Sequence, residues 1–313
     1  EKLFYGVSVD FGPFFGGLDA SVFFIEQQAD SVLDRRAVGA ELRYIDPTKS
    51  AFATFDYDIH YQALNAAILS GSWTLADKST LHAGFDYRKS PYLSTWTALQ
   101  GQAFPTLFEL LKVKTLAEAE ALALDRTSTY TAGTVGFSRP INDMFQVSLD
   151  ATVTNLDGTV ASGGVDAMLP TGNEYFLAGQ LIASNALTDG DLFVVGLRFA
   201  DLSTTNLYAL DLSARYPLFD GLKVNPRLRL SYLTGDDTDL TEVSVLPSVL
   251  FNYYVNRDWS LELEVGARWT DRRQGGIEET ETDLFFTMGY RYDFYVDGTA
   301  VSAPRASSIP APK

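Results

Sequence analysis

The stretch Met144–Asn155, MFQVSLDATVTN, decides the fold. Phe145, Val147, Leu149, Ala151 and Val153 alternate with Gln146, Ser148, Asp150, Thr152 and Thr154. Successive side chains of a strand point to opposite faces, so this segment has one apolar face and one polar face. Trp259–Thr270 repeats the pattern: Trp259, Leu261, Leu263, Val265, Ala267 and Trp269 alternate with Ser260, Glu262, Glu264, Gly266, Arg268 and Thr270. Leu284, Phe286, Met288, Tyr290, Tyr292 and Phe294 line one face near the end of the chain.

Working outward, the same period marks strands at 2–11, 18–28, 36–45, 51–60, 64–75, 80–88, 127–137, 144–155, 173–184, 191–200, 205–216, 222–233, 241–254, 259–270 and 282–294. Short turns at 46–50, 76–79, 139–143, 185–190, 217–221 and 255–258 are expected to alternate with longer connections at 89–126, 156–172, 234–240 and 271–281. The connections 61–63 and 201–204 are short where this rule expects length. Strands of about ten residues with short turns at one end and long loops at the other are the pattern of a transmembrane barrel. Residues 1–296 are therefore expected to form an all-β, transmembrane, antiparallel up-and-down barrel. Bacterial single-chain barrels have even strand numbers. The fifteen segments imply sixteen strands, with one lying before Glu1 or overlooked near the amino end; fourteen is the alternative. Residues 297–313, rich in Pro, Ala and Ser, are expected to be a flexible tail.

Composition agrees. Hydrophobic residues make up 46% of the 313, yet no run reaches the roughly 18 apolar residues of a membrane helix. A soluble β-sandwich also alternates, but it packs its apolar faces into a core. A closed sheet of this many strands has no means of filling its centre with Asp, Glu, Arg and Ser. Its apolar face must turn outward into lipid. Aromatic residues cluster at strand ends. Tyr44, Phe52, Phe145, Phe193, Tyr216, Phe219, Tyr253, Trp259, Tyr292 and Phe294 lie by the short turns or the final strand end, and Tyr61, Tyr87, Tyr175, Tyr208, Tyr232 and Trp269 near the other ends. Such rings favour the two bilayer interfaces. Pro226 and Pro247 fall on the apolar face inside neighbouring strands, and each removes a ladder donor, so bulges are expected there.

The net charge of −16 excludes a nucleic-acid binder, and the absence of cysteine excludes disulfides and thiolate metal sites. No cofactor or metal is expected. Gly235–Asp239 is acidic but lacks the full calcium-loop pattern. The only histidines, His60 and His82, sit on polar faces with Asp58 and Asp86 nearby, and no G-x-S-x-G nucleophile motif accompanies them. The reading is therefore not an enzyme, with no catalytic residues.

Chemistry is expected on the polar face. Alternation places Arg198, Arg215, Lys223, Arg227, Arg229, Arg268 and Arg291 inside as a basic wall, and Asp56, Asp58, Asp86 and Asp150 inside as an acidic one, with Glu262 and Glu264 also lining the lumen. Opposed walls of this kind orient charged or dipolar solutes. Local pairing that braces the wall is the alternative, for example Asp211 with Arg215, or Glu262 and Glu264 with Arg268. In the longest loop, Thr106 with Glu109 and Thr115 with Glu118 match capping boxes. Apolar residues at helical spacing follow each one, so helices are expected at 107–113 and 116–124 within a helical loop at 104–125. Folded into the lumen or over its mouth, this loop forms a constriction carrying Glu109, Lys112, Lys114, Glu118 and Glu120; packing outside the pore or docking a partner is the alternative.

Particular runs carry a resemblance: Phe55–Asp58, Leu64–Asn65, Asp86–Tyr92, Ala123–Arg126, Ser162–Gly164, Gly172–Tyr175 and Asn225–Arg227. Through them the span 36–294 resembles the C-terminal barrel of proteobacterial outer-membrane proteins that carry tetratricopeptide repeats ahead of it. The terminal Tyr290–Phe294 looks like the final strand recognised by the barrel-assembly machinery. The resemblance implies an outer-membrane location in a Gram-negative bacterium, with lipid and that machinery as partners and a periplasmic repeat domain upstream or export partners. Similar architectures export polysaccharides. The expected function is a pore or export channel for polar or charged solutes, a polysaccharide among them. The alternative is a membrane anchor or assembly module for a periplasmic repeat domain or a surface partner.

Overall fold

A computed structural model describes residues 1–236 and 238–294. The expected tail at 297–313 lies outside the described residues. Fifteen strands follow one another: β1 Lys2–Phe14, β2 Leu18–Ala29, β3 Val32–Ile45, β4 Lys49–Asp58, β5 Ala63–Thr74, β6 Thr80–Ser90, β7 Ser128–Pro140, β8 Phe145–Leu156, β9 Gly172–Ser184, β10 Leu192–Asp201, β11 Thr205–Phe219, β12 Leu222–Gly235, β13 Thr241–Tyr254, β14 Trp259–Gln274 and β15 Ile277–Tyr292. Each pairs antiparallel with its sequence neighbours in a single sheet of order β1 to β15. The expected all-β up-and-down architecture is thus present, and its fifteen strands among the described residues match the fifteen segments of the sequence.

The connections separate by end. One end, the turn end, carries 15–17, 46–48, 75–79, 141–144, 185–191, 220–221 and 255–258. The other, the loop end, carries 30–31, 59–62, 202–204, 236–240 and 275–276 together with the long segments 91–127 and 157–171. The loop expected at 271–281 is absent as such. β14 and β15 extend to Gln274 and from Ile277, leaving Gly275 and Gly276 at φ 61° and 76°. Two successive positive φ values suit a tight hairpin turn whose twist matches the strands, and glycine adopts them without a Cβ clash.

The registers carry each face across the sheet. Leu81, Phe137, Leu149, Gly179, Leu197, Leu210, Leu230, Val245 and Trp269 are successive cross-strand partners from β6 to β14. One residue over, His82, Gly136, Asp150, Ala178, Arg198, Ala209, Ser231, Ser244 and Thr270 form the matching row on the other face. That second face also holds Phe23 and Phe285, whose rings lie over Gly39 and Gly266 on adjacent strands and fill the space a side chain would take.

No second layer covers the apolar face. Leu149 is 55% exposed, Val135 60% and Leu197 61%. The chain exposes 20020 Å², whereas a compact monomer of this mass exposes ~13,000 Å². Among the described residues the main cluster of buried apolar side chains lies at the loop end, formed by Ala29, Ala98, Leu107, Leu110, Ala119, Leu122 and Ala123.

The expected bulges at Pro226 and Pro247 do not occur. The β12–β13 register runs unshifted through both, and the β11–β12 and β13–β14 ladders resume in the same register on either side. Both rings stand on the apolar face, and each strand passes through its missing donor without an inserted residue. Register shifts fall elsewhere, near strand ends: at Phe11/Phe14, at Gln27/Gln28 opposite Leu33–Arg35, at Asp56/Tyr57 opposite Leu64–Ala66, and at Pro217/Phe219.

β1 and β15 pair on one side only. Phe286 and Met288 on β15 are 68% and 75% exposed, against 39% for Val265 on β14. Both edge strands run from the loop end to the turn end, so laying one against the other would make a parallel pair. An antiparallel strand set between them would meet both edges. Outward-facing amides of β1 and β15 in this chain should exchange with solvent at least about 100-fold faster than amides of β8–β12. Equal protection by hydrogen-exchange mass spectrometry would show that the edges are covered.

Candidate functional site

Every residue expected to line a lumen falls on the polar face in these registers. The expected basic residues lie on β10–β15 and Asp56, Asp58, Asp86 and Asp150 on β4, β6 and β8, and several of these charges are paired locally. Arg35 lies against Asp56 and is 3.8 Å from Asp58. Arg88 is 3.6 Å from Asp86. His82 Nε2 meets Asp150 Oδ1 at 3.1 Å across the intervening β7. Gly136 of β7 permits this crossing, since a Cβ there would overlap both side chains. Asp211 takes both Arg198 and Arg229, the latter at 2.6 Å. Arg227 is 3.5 Å from Glu264, which also accepts from Ser248 Oγ at 3.1 Å. Arg291 pairs with Asp293 at 3.1 Å.

Local pairs thus occur, with partners other than those expected. Asp211 turns to Arg198 and Arg229 rather than Arg215, because both are closer to its row: Arg229 is its direct cross-strand partner, while Arg215 lies four residues along the same strand. Glu264 takes Arg227 rather than Arg268. His82 joins Asp150 rather than Asp86. Among the described residues, Arg215, Lys223, Arg268 and Glu262 have no ion pair within 4 Å. A cavity of about 650 Å³ lies over the paired network, lined by Asp150, Gln180, Arg198, Asp211, Arg229 and Glu264 among others.

At the loop end, segment 91–127 folds onto the polar face of β1–β6. It contains a 3₁₀ turn, Thr95–Leu99, and helices α1 Leu107–Leu110 and α2 Leu116–Asp125. The first helix is shorter than the expected 107–113. Thr106 caps it, accepting from the Glu109 amide at 3.2 Å. Thr115 and Glu118 form a full capping box. Leu107, Leu110, Ala119, Leu122 and Ala123 pack together against Ala29 and Val32 of the β2–β3 hairpin tip, with Tyr61 and Trp96 at the margin.

Two residues missed in the sequence hold this cap to the sheet. Asp34 and Asn65 are each the extra residue of a register shift, and both are wholly buried. A bulge re-aims the side chain it inserts. Asp34 Oδ1 accepts from the Trp96 amide at 2.6 Å, and Asn65 Oδ1 from the Leu93 amide at 3.2 Å. The available signal was the broken alternation in Leu33–Asp34–Arg35–Arg36 and Leu64–Asn65–Ala66. Further ties are Asp30 Oδ2 to the Leu107 amide at 3.0 Å, Tyr61 to Thr95 at 2.8 Å, and His60 to Glu120 at 2.8 Å. The buried Arg126 guanidinium donates to the Ala98 carbonyl and, at 3.4 Å, to those of Ser162 and Gly163. The cap is thereby bound to segment 157–171.

Of the expected constriction residues, Glu120 ties the cap down and Glu118 caps α2. Lys112 lies 4.6 Å from the centre of the Phe108 ring. Glu109 and Lys114 are half-buried. Phe108, Val113, Leu116 and Leu124 stand exposed on the cap surface.

Comparison with known proteins adds two loose likenesses. One solved structure, described as a bacterial polysaccharide outer membrane secretin, superposes with TM-score 0.41 at 12% identity, covering 94% of this chain and 91% of its own. Another, a loop L8 deletion mutant of OmpT, an outer membrane protein of Vibrio cholerae, gives TM-score 0.40 at 12% identity, covering 92% and 99%. No family model matches the chain, and no curated protein does. Likenesses this loose say nothing of what the chain does.

Asp34→Ala and Asn65→Ala each strand a buried amide, a loss of roughly 1–3 kcal/mol. Each should speed proteolytic cleavage within 91–127 by about tenfold or more while leaving the strands intact; unchanged cleavage would show that the cap is held otherwise. A pH effect follows from the capping box. Hydrogen bonds from the Thr115 amide and hydroxyl hold the Glu118 carboxyl below its usual range. Its contribution is complete above the ordinary carboxylate value of about 4.3 and is lost as pH falls through the lowered folded value. Cleavage near α2 should rise over that acid range in the native chain, and Glu118→Gln should flatten the rise.

Proposed function

We propose that the sheet rolls with its polar face inward and lies in a bacterial outer membrane as a channel for polar or charged solutes, narrowed at its loop end by the helical cap. The carrying observation is an apolar face exposed along the strands opposite a polar face rich in charged side chains, some of them paired across strands. Soluble monomers rarely expose apolar patches beyond a few hundred Å². A groove of about 1210 Å³ runs along the apolar face, lined by Leu81, Val135, Leu149, Leu177, Leu197 and Leu230 among others, and acyl chains would fill it. From Tyr208 to Tyr216 the apolar side of β11 rises roughly 27 Å along the strand, or about 20 Å across the membrane at the roughly 40° tilt of barrel strands, against an apolar band about 25 Å tall.

Rings flank this band. Trp259 lies 4.7 Å from Tyr292 at the turn end, and Tyr208 lies 5.0 Å from Phe199 and 6.4 Å from Tyr232 towards the loop end. The longer loops mark the loop end as extracellular and the turn end as periplasmic. Lipid and the barrel-assembly machinery are the partners this placement calls for, and a polysaccharide is one solute class that suits a polar wall. The reading assigns no catalytic role: His60 pairs with Glu120 of the cap and His82 with Asp150 across β7.

The exposed Phe108, Val113, Leu116 and Leu124 favour a second reading, in which the loop end docks a surface partner and the sheet serves as an anchor. Planar-bilayer recording separates the two. The channel reading expects discrete conductance steps from the full chain and larger steps after deletion of 104–124. Silence from both proteins would overturn it in favour of the anchor.

A further inference from the structure

We propose that the polar face carries an oxyanion-binding subsite towards the turn end, formed by Arg215, Lys223, Asn225 and Arg227. It deepens the channel reading and rests on it for its biological purpose, since it names the class of solute that the face engages.

The four residues line a cavity of about 380 Å³ with Asn252 and Tyr254, and no carboxylate shares that lining. This volume suits a single sugar-sized group. Arg215 and Lys223 have no ion pair within 4 Å among the described residues. The Lys223 ammonium sits 5.3 Å from the Tyr254 ring centre, which orients the cation without neutralising it. Arg227 reaches Glu264 through one terminal nitrogen at 3.5 Å, and the rest of its fork remains free.

Asn225 adds an amide to the lining and is 8% exposed. Its Oδ1, buried without a hydrogen-bond partner, is an acceptor and offers an oxyanion nothing; the Nδ2 of the same amide is the donor that an oxyanion would take. Its place in the sheet is fixed, because the Ser213–Arg227 and Tyr216–Val224 pairs bracket it opposite Arg215.

The surrounding charges leave the site positive. Asp211 is already held by Arg198 and Arg229, and Glu262 lies beyond Asn252 on β14. The chain as a whole carries −16, so a cationic pocket without acids is an exception to its background. Guanidinium forks grip planar or tetrahedral oxyanions through paired hydrogen bonds. A carboxylated sugar and a phosphate present the same chemistry to such a fork.

The test uses the full chain in detergent micelles at low salt, with inorganic phosphate, glucuronate and glucose as probes, followed by titration calorimetry. Phosphate or glucuronate should bind, and glucose should not. Tighter glucuronate binding identifies a sugar acid, and phosphate binding alone identifies a small oxyanion. The double change Arg215→Gln and Lys223→Gln, at positions that leave strand pairing untouched, should weaken association at least tenfold. Asn225→Asp should do the same by placing a negative charge in the pocket. Equal binding by the native and doubly changed chains, or glucose binding as well as glucuronate, would overturn the proposal. Anion binding by a chain that is silent in bilayers would retain the subsite and remove the channel reading.

Discussion

The structure depends on an antiparallel ladder that keeps one register across fifteen strands. A one-residue slip in any pair would turn a strand's apolar set onto the polar face. Over the middle of the sheet no such slip occurs, even where Pro226 and Pro247 withdraw a donor. Continuity of register makes two chemically distinct surfaces from one layer. Each surface then requires its own surroundings: hydrocarbon for one, water and counter-charge for the other.

Where the register does shift, the sheet gains attachment points. Asp34 and Asn65 are surplus to the ladder, and each takes a backbone amide from the segment that folds over the loop end. The cap also brings the main buried apolar cluster of the described residues. Its stability and its position thus have separate origins. Leucine and alanine packing holds its helices together, whereas polar side chains at the rim fix where they sit.

Much of this was legible in the sequence. The period-two pattern located all fifteen strands because each strand buries neither face in a mixed core, so alternation survives from end to end. The capping boxes located both helices because Thr–x–x–Glu followed by leucines has a local physical meaning. Partners on the polar face were less legible. A lumen-facing Arg has a neighbour on each adjacent strand as well as along its own, and only the register tells which acid it meets. Asp211 with Arg229, or His82 with Asp150 across Gly136, needs those offsets. The glycines 275 and 276 were readable as a tight turn, but flanking charges such as Arg272, Arg273, Glu278 and Glu279 masked the strands leading into it. These residues pair with one another across the hairpin, so their polarity is compatible with strand.

The two described edges, β1 and β15, share a direction, so a strand that pairs with both must run antiparallel to each. The cap grips β1–β6 and, through Arg126, the segment after β8, and its hydrogen bonds among the described residues do not reach β9–β15. Arg215 and Arg268, which have no ion pair among the described residues, therefore stand on the half of the sheet that the cap does not tie.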